Sequence, residues 1–122
     1  MSTGKILIVD DDPNILLSLD YLMRKNGFQV FVARNGQEAL ELLGQEQPKL
    51  VLLDIMMPDV DGYQICAHIK NSSDLQDTHV VFMSAKSKDA DIQKGLEMGA
   101  VAYFTKPFSS KQLLQKVQEL LQ

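Results

Sequence analysis

Three short stretches of the chain are apolar at every position: Ile6–Val9 (ILIV), Leu50–Leu53 (LVLL) and Val80–Met83 (VVFM). A strand with one wet face alternates apolar and polar side chains, whereas these runs leave no face for water, so both sides must be covered. The cover is present in the sequence. Between and after the runs stand segments whose apolar residues recur every three to four positions, the period of an amphipathic helix. With two weaker runs added, strands are expected near residues 5–9, 29–33, 50–53, 79–83 and 101–104, each followed by a helical pattern, a (βα)5 alternation.

Such an alternation favours an α/β fold with a parallel sheet, because right-handed crossovers place helices on both faces of an open, doubly wound sheet. For five strands the flavodoxin-like order 2-1-3-4-5 is the natural arrangement, and it sets the carboxyl ends of strands one and three side by side. The first helix carries Ile15, Leu16, Leu19, Leu22 and Met23 and stops at Asn26-Gly27, where glycine takes the positive φ that other residues resist. Ala39, Leu40 and Leu43 give the second helix its inner face, Ile65, Cys66 and Ile69 the third, and Leu113, Leu114, Val117, Leu120 and Leu121 the last. The fourth, about Asp89 to Met98, is expected to be interrupted at Gly95 and capped by Gly99.

A chain of 122 residues has the usual size of one domain, here 1–122 with a core of about 5–121. No apolar run approaches the roughly 20 residues of a membrane-spanning helix, and the opening MSTGK lacks signal-peptide shape, so a cytoplasmic protein is expected. The single cysteine, Cys66, excludes an internal disulfide, and with only His68 and His79 beside it no zinc-type cluster forms; Cys66 is expected as a small buried hydrophobe and the histidines as structural or surface residues. A net charge of −4 without a Lys/Arg run argues against direct nucleic-acid binding.

The chemistry is signalled by acids at strand ends. Strand one runs into Asp10, Asp11 and Asp12, and strand three into Asp54. On neighbouring strands about 4.8 Å apart, these carboxylates converge. At about 5 Å and an effective dielectric of about 20, each ionised pair repels by roughly 3 kcal/mol. A hard divalent cation, Mg2+ first and Mn2+ as an alternative, matches an oxygen-only cluster and leaves room for a phosphate ligand. Strand four leads to Ser84 and strand five to Lys106 at the same edge, a hydroxyl and an ammonium suited to the spread charge of a phosphoryl group. Asp54 is then the candidate nucleophile, since carboxylates form aspartyl phosphates. Taken singly, each residue has a plainer role: Asp12 as a helix N-cap ahead of Pro13, Asp54 as a cap or turn, Lys106 as a surface charge, Ser84 as a turn residue and Tyr103 as a half-buried strand aromatic. Their appearance together at four strand ends is what favours a site.

The motifs ILIVDDDP, LVLLDIMMPDVDGYQI, FMSAK and GAVAYFTKPF, in this order and spacing, resemble the receiver domain of two-component response regulators, from about Lys5 to Leu121. The resemblance implies that Asp54 accepts a phosphoryl group from a histidine kinase, a phosphotransfer protein or a small phosphodonor. It implies that Asp11 ligates Mg2+ directly and Asp10 through water, that Asp54 and the backbone carbonyl of Met56 complete the set, and that Ser84 and Lys106 contact phosphoryl oxygens. Ser84 and Tyr103 would form a switch pair acting on helix four, strand five and helix five, the face implied for a downstream protein target or a homodimer. A cis bond between Lys106 and Pro107 is also implied. Met56 and Lys86 stand at positions that vary in the family and tune phosphoryl lifetime.

Three other functions compete. A haloacid-dehalogenase-type phosphatase wants a second aspartate two residues after the nucleophile, where this chain has Met56, and without that acid turnover of outside substrates is disfavoured. A flavodoxin-like FMN carrier needs a phosphate cradle after strand one, where DDDPN would repel phosphate. A phosphorylation-independent interaction module would have no use for the full acid, hydroxyl and lysine set.

Overall fold

In the computed structural model, which describes residues 4–122, strand β1 (Lys5–Val9) pairs with β2 (Gln29–Ala33) on one side and β3 (Leu50–Asp54) on the other. Strands β4 (His79–Ser84) and β5 (Ala102–Thr105) extend the sheet beyond β3. Every pair is parallel and the order is β2-β1-β3-β4-β5, the arrangement the alternation implied. The opening residues Met1 to Thr3, part of the MSTGK stretch, lie outside the described residues. Among the described residues no helix is long and apolar enough to cross a membrane.

Five helices follow the strands in turn: α1 (Pro13–Lys25), α2 (Gly36–Glu46), α3 (Gly62–Lys70), α4 (Asp89–Glu97) and α5 (Ser110–Leu120). Leu16, Leu19 and Met23 of α1 join Leu113 and Val117 of α5 against Ile6, Ile8, Leu52 and Val81 on one face of the sheet. Ala39 and Leu43 of α2 join Ile65, Cys66 and Ile69 of α3 against Leu7, Val9, Val51 and Phe82 on the other. Alternate residues of one strand thus serve opposite cores, which is why its sequence has no polar position. Each large side chain so buried contributes about 1.5–3 kcal/mol relative to exposure.

The helix ends follow their side chains. Asp12 caps α1, its carboxylate accepting from the Asn14 N–H at 2.9 Å with Pro13 in the first turn, and Asn35 and Ser109 cap α2 and α5 in the same way. Gly27 and Gly99 take the positive φ values, 92° and 108°, that close α1 and α4.

One expectation is corrected. Helix α4 runs through Gly95 without a break, and Gly95 is buried. A methyl group there would stand 3.0 Å from both Phe82 Cδ2 and Tyr103 Cδ2, so the missing side chain lets α4 lie close on β4 and β5. The propensity loss of about 1 kcal/mol is offset by that packing. Lys94, one residue earlier, sets its ammonium 4.1 Å from the centre of the Tyr63 ring on α3.

Candidate functional site

The register of the sheet assembles the site. Val9 pairs with Leu53, so the next residues, Asp10 and Asp54, leave β1 and β3 level with each other. Ser84 pairs with Thr105, which puts Lys106 just beyond β5 at the same edge. One carboxylate oxygen from each of Asp10, Asp11 and Asp54 lies within 4.8 Å of the others, the sole such group of acids, histidines or cysteines among the described residues. Asp10 is fully buried, Asp54 is 4% exposed, and Asp11 is open to solvent.

Among the described residues, Lys106 supplies the one cation paired with these acids. Its Nζ donates to Asp10 Oδ2 at 2.7 Å and stands 3.5 Å from Asp54 Oδ1. Asp10 Oδ1 accepts from the Asp12 N–H at 2.9 Å, so both oxygens of the most buried acid are satisfied. One ammonium against three carboxylates leaves the cluster negative. Burial above all, then the charge of Asp10, pushes the Asp54 carboxyl up to about 6, with Lys106 pulling against them and Asp11 adding to the rise. For Lys106, burial favours the neutral amine, but the hydrogen bond to Asp10 and the charge of Asp54 outweigh it and hold its pKa above the usual lysine value. An oxygen-only donor set, open to water through Asp11 and left with residual negative charge, fits a hard divalent cation and does not fit a soft one.

Ser84, fully buried, is the last residue of β4. Its Oγ accepts from the Lys86 N–H at 3.1 Å, while the Tyr103 hydroxyl donates to the Lys86 carbonyl at 2.8 Å. The two side chains therefore hold opposite ends of one loop residue. The Tyr103 ring packs on Phe82 with centroids 6.0 Å apart, and burial pushes its phenol up. Met56, 57% exposed, lines a shallow depression with Asp11, Pro58 and Lys86 beside the acids. The Lys106–Pro107 bond is cis.

Other expected residues stand apart from the site. Asp12 turns to its own helix, His68 is exposed, and His79 opens β4 at the far edge. Cys66 is buried, its Sγ 3.7 Å from the Met98 carbonyl, and burial pushes its thiol up.

Two supporting residues were not singled out from the sequence. Gly62, the first residue of α3, donates its N–H to the Ile55 carbonyl at 2.8 Å, directly beneath Asp54. The adjacent Asp61 caps the same helix reciprocally with Gln64, and the Asp-Gly pair before an apolar run was the visible signal. Asp59 accepts from the N–H groups of Gly36 and Gln37, 3.0 Å each, on a helix distant in sequence. No local pattern announces that contact.

A family model described as the response regulator receiver domain matches residues 6–118. Among solved structures, the BeF3-activated DrrB receiver domain superposes with a TM-score of 0.90 at 36% identity, covering 98% of each chain. The response regulator DrrB of Thermotoga maritima, an OmpR/PhoB homolog, gives 0.88 at 36% identity; 98% of this chain aligns, over 53% of that one. The chemotaxis protein CheY4 of Vibrio cholerae gives 0.90 at 25% identity, covering 98% of this chain and 100% of the other.

Proposed function

The chain belongs to the response regulator receiver domain family, and from that premise we propose that it is a phosphoacceptor switch whose reactive group is Asp54. A carboxylate oxygen of Asp54 attacks the phosphorus of a phosphohistidine on a histidine kinase or phosphotransfer protein, or of a small acyl phosphate. The new O–P bond forms as the bond from phosphorus to the donor's nitrogen or oxygen breaks, and the leaving group takes that bond's electron pair. With a pKa of about 6, Asp54 is mostly ionised at neutral pH and more basic than an ordinary aspartate. The Lys106 ammonium needs only a small swing from the carboxylates to the incoming phosphoryl oxygens. Ser84 accepts one hydrogen bond through Oγ and keeps its own hydrogen to donate to the same oxygens.

Asp11 directly, Asp10 through water, Asp54 and the Met56 carbonyl would hold Mg2+ or Mn2+, which when bound supplies positive charge to phosphoryl oxygens. Met56, standing where a phosphatase would carry its acid, leaves the chain assisting its own phosphorylation and dephosphorylation without turnover of outside substrates. The observation that carries this proposal is the meeting of a nearly buried Asp54 with two further acids and one lysine from distant strand ends. Incubation with Mg2+ and acetyl phosphate should add one phosphoryl group by mass, and chelation or Asp54→Ala should remove it. An unmodified wild-type mass, or an adduct that survives Asp54→Ala, would overturn the assignment.

The switch follows from the shared loop residue. A phosphoryl group that draws Ser84 inward alters the loop on which Tyr103 also rests, so the face of α4, β5 and α5 changes its preferred arrangement. That face would meet a downstream protein target or a second copy of the chain, in the cytoplasm and without direct nucleic-acid contact. Phosphorylation should change amide exchange across α4, β5 and α5 in the wild type, and Ser84→Ala and Tyr103→Ala should each lose most of that change. A full response in both variants would refute the switch.

A further inference from the structure

We infer that Asp59 is a positioning residue: it moors the arc Met56–Pro58 of the β3–α3 loop to the N-terminus of α2 and so keeps that arc beside the acids. Its two oxygens divide between two donors, Oδ1 taking the Gly36 N–H and Oδ2 the Gln37 N–H, each at 3.0 Å. These are the first two N–H groups of α2, which no residue within the helix can satisfy; the next, from Glu38, goes to Asn35 at 2.9 Å. Bonds from backbone N–H groups, that of Gly36 foremost, then Val60 and Gln37, hold the Asp59 carboxyl below its usual range against the opposing effect of burial.

The contact extends past the carboxylate. A methyl group on Gly36 would stand 2.5 Å from Val60 Cβ and 2.8 Å from Val60 O, so loop and helix meet with no room between them. Helix α2 is itself fixed on the sheet through buried Ala39 and Leu43. At its start the arc continues from β3, and beyond Asp59 the chain is pinned by the Gly62 N–H to Ile55 O bond and the Asp61 capping box. Without Asp59, the arc Met56–Pro58 loses the only polar anchor to a neighbouring element that the described residues provide beside it.

This inference rests on the proposed function, since the arc carries the Met56 carbonyl assigned there to the cation. The plainer role is a cap that stabilises α2 alone. Asn35→Ala separates the two, because it removes a cap from the same helix and leaves the loop untouched. Calorimetric titration of the full chain with Mg2+ should show affinity about tenfold weaker in Asp59→Ala, the low end for a supporting residue. Asn35→Ala should stay within about twofold of wild type, and Asp59→Asn, which keeps one acceptor oxygen, should fall between. Amide exchange in residues 56–61 should quicken in Asp59→Ala and not in Asn35→Ala. Equal Mg2+ affinity in both alanine variants would overturn the mooring while leaving the phosphoacceptor assignment intact. A wild-type chain that neither binds Mg2+ nor forms an adduct would overturn both, and should Asp59→Ala fail to fold, Asp59→Asn against wild type decides.

Discussion

At pH 7 without divalent cation, Asp54→Asn is expected to be more stable than the wild-type chain by about 2 kcal/mol, although it removes the proposed phosphoacceptor. The reason is the rise of the Asp54 carboxyl from 3.8 to about 6, caused first by burial and then by Asp10. Between those values the folded chain binds the proton more tightly than the unfolded chain, so stability falls as pH rises through the interval. The stability is fully present below about 3.8 and lost above about 6, a span worth up to about 3 kcal/mol at 1.36 kcal/mol per pH unit. Asparagine keeps the shape, carries no charge, and can donate to the facing carboxylates, which recovers most of that span. Urea unfolding should show the variant ahead at pH 7 and the two chains nearly level at pH 4. Saturating Mg2+ should narrow the gap at pH 7, because a ligand that binds only the folded wild type stabilises it. A variant no more stable than wild type at pH 7 would mean that the acids are already compensated and the cluster stores no repulsion.

Gly62→Ala should act in the opposite direction and about as strongly. Alanine is the better helix former by about 1 kcal/mol, so an open site would gain. This site is closed. The added methyl would stand 2.7 Å from Ile55 Cα and closer still to the Asp54 carbonyl oxygen, and backbone atoms cannot swing aside as a side-chain tip could. Overpacking of this kind costs about 1–3 kcal/mol, and relief requires α3 to move off the strand end that carries Asp54. A loss of about 3 kcal/mol would lower the urea midpoint by roughly 1.5 M for a chain of this size. Adduct formation with acetyl phosphate should slow as well, since the backbone of Asp54, the proposed nucleophile, is displaced. Gly44→Ala is the control: a methyl there meets nothing within 4 Å, so that variant should keep or slightly raise its stability. Wild-type stability and reactivity in Gly62→Ala would show that α3 sits less tightly on β3 than the geometry requires.

Much of the candidate site's geometry was legible because its residues end strands. Asp10, Asp54 and Ser84 each follow an apolar run and Lys106 follows the last strand residue, Thr105, and strand periodicity places strand ends at one sheet edge once the strands are parallel. The helix stops at Asn26-Gly27 and Gly99 were legible for a related reason, since a positive φ is written into glycine itself. Gly95 misled because its local preference is to break a helix, while the surface it meets, Phe82 and Tyr103, lies on other elements. Asp59 stayed hidden because its partners Gly36 and Gln37 are joined to it only through the packing of α2 beside β1, β2 and α3.

By itself, then, the sequence determined which segments are strands and helices, which faces they bury, and which acids, hydroxyl and amine stand at their ends, because these depend on periodicity and local backbone preference. Only the tertiary structure decided that Lys106 lies closer to Asp10, at 2.7 Å, than to Asp54, at 3.5 Å, that Ser84 and Tyr103 grip the same residue, and that Asp59 ties a loop to α2. Those are contacts between groups distant in sequence and a few ångströms apart in space, settled by distance and burial, and neither quantity exists until the strands have been placed side by side.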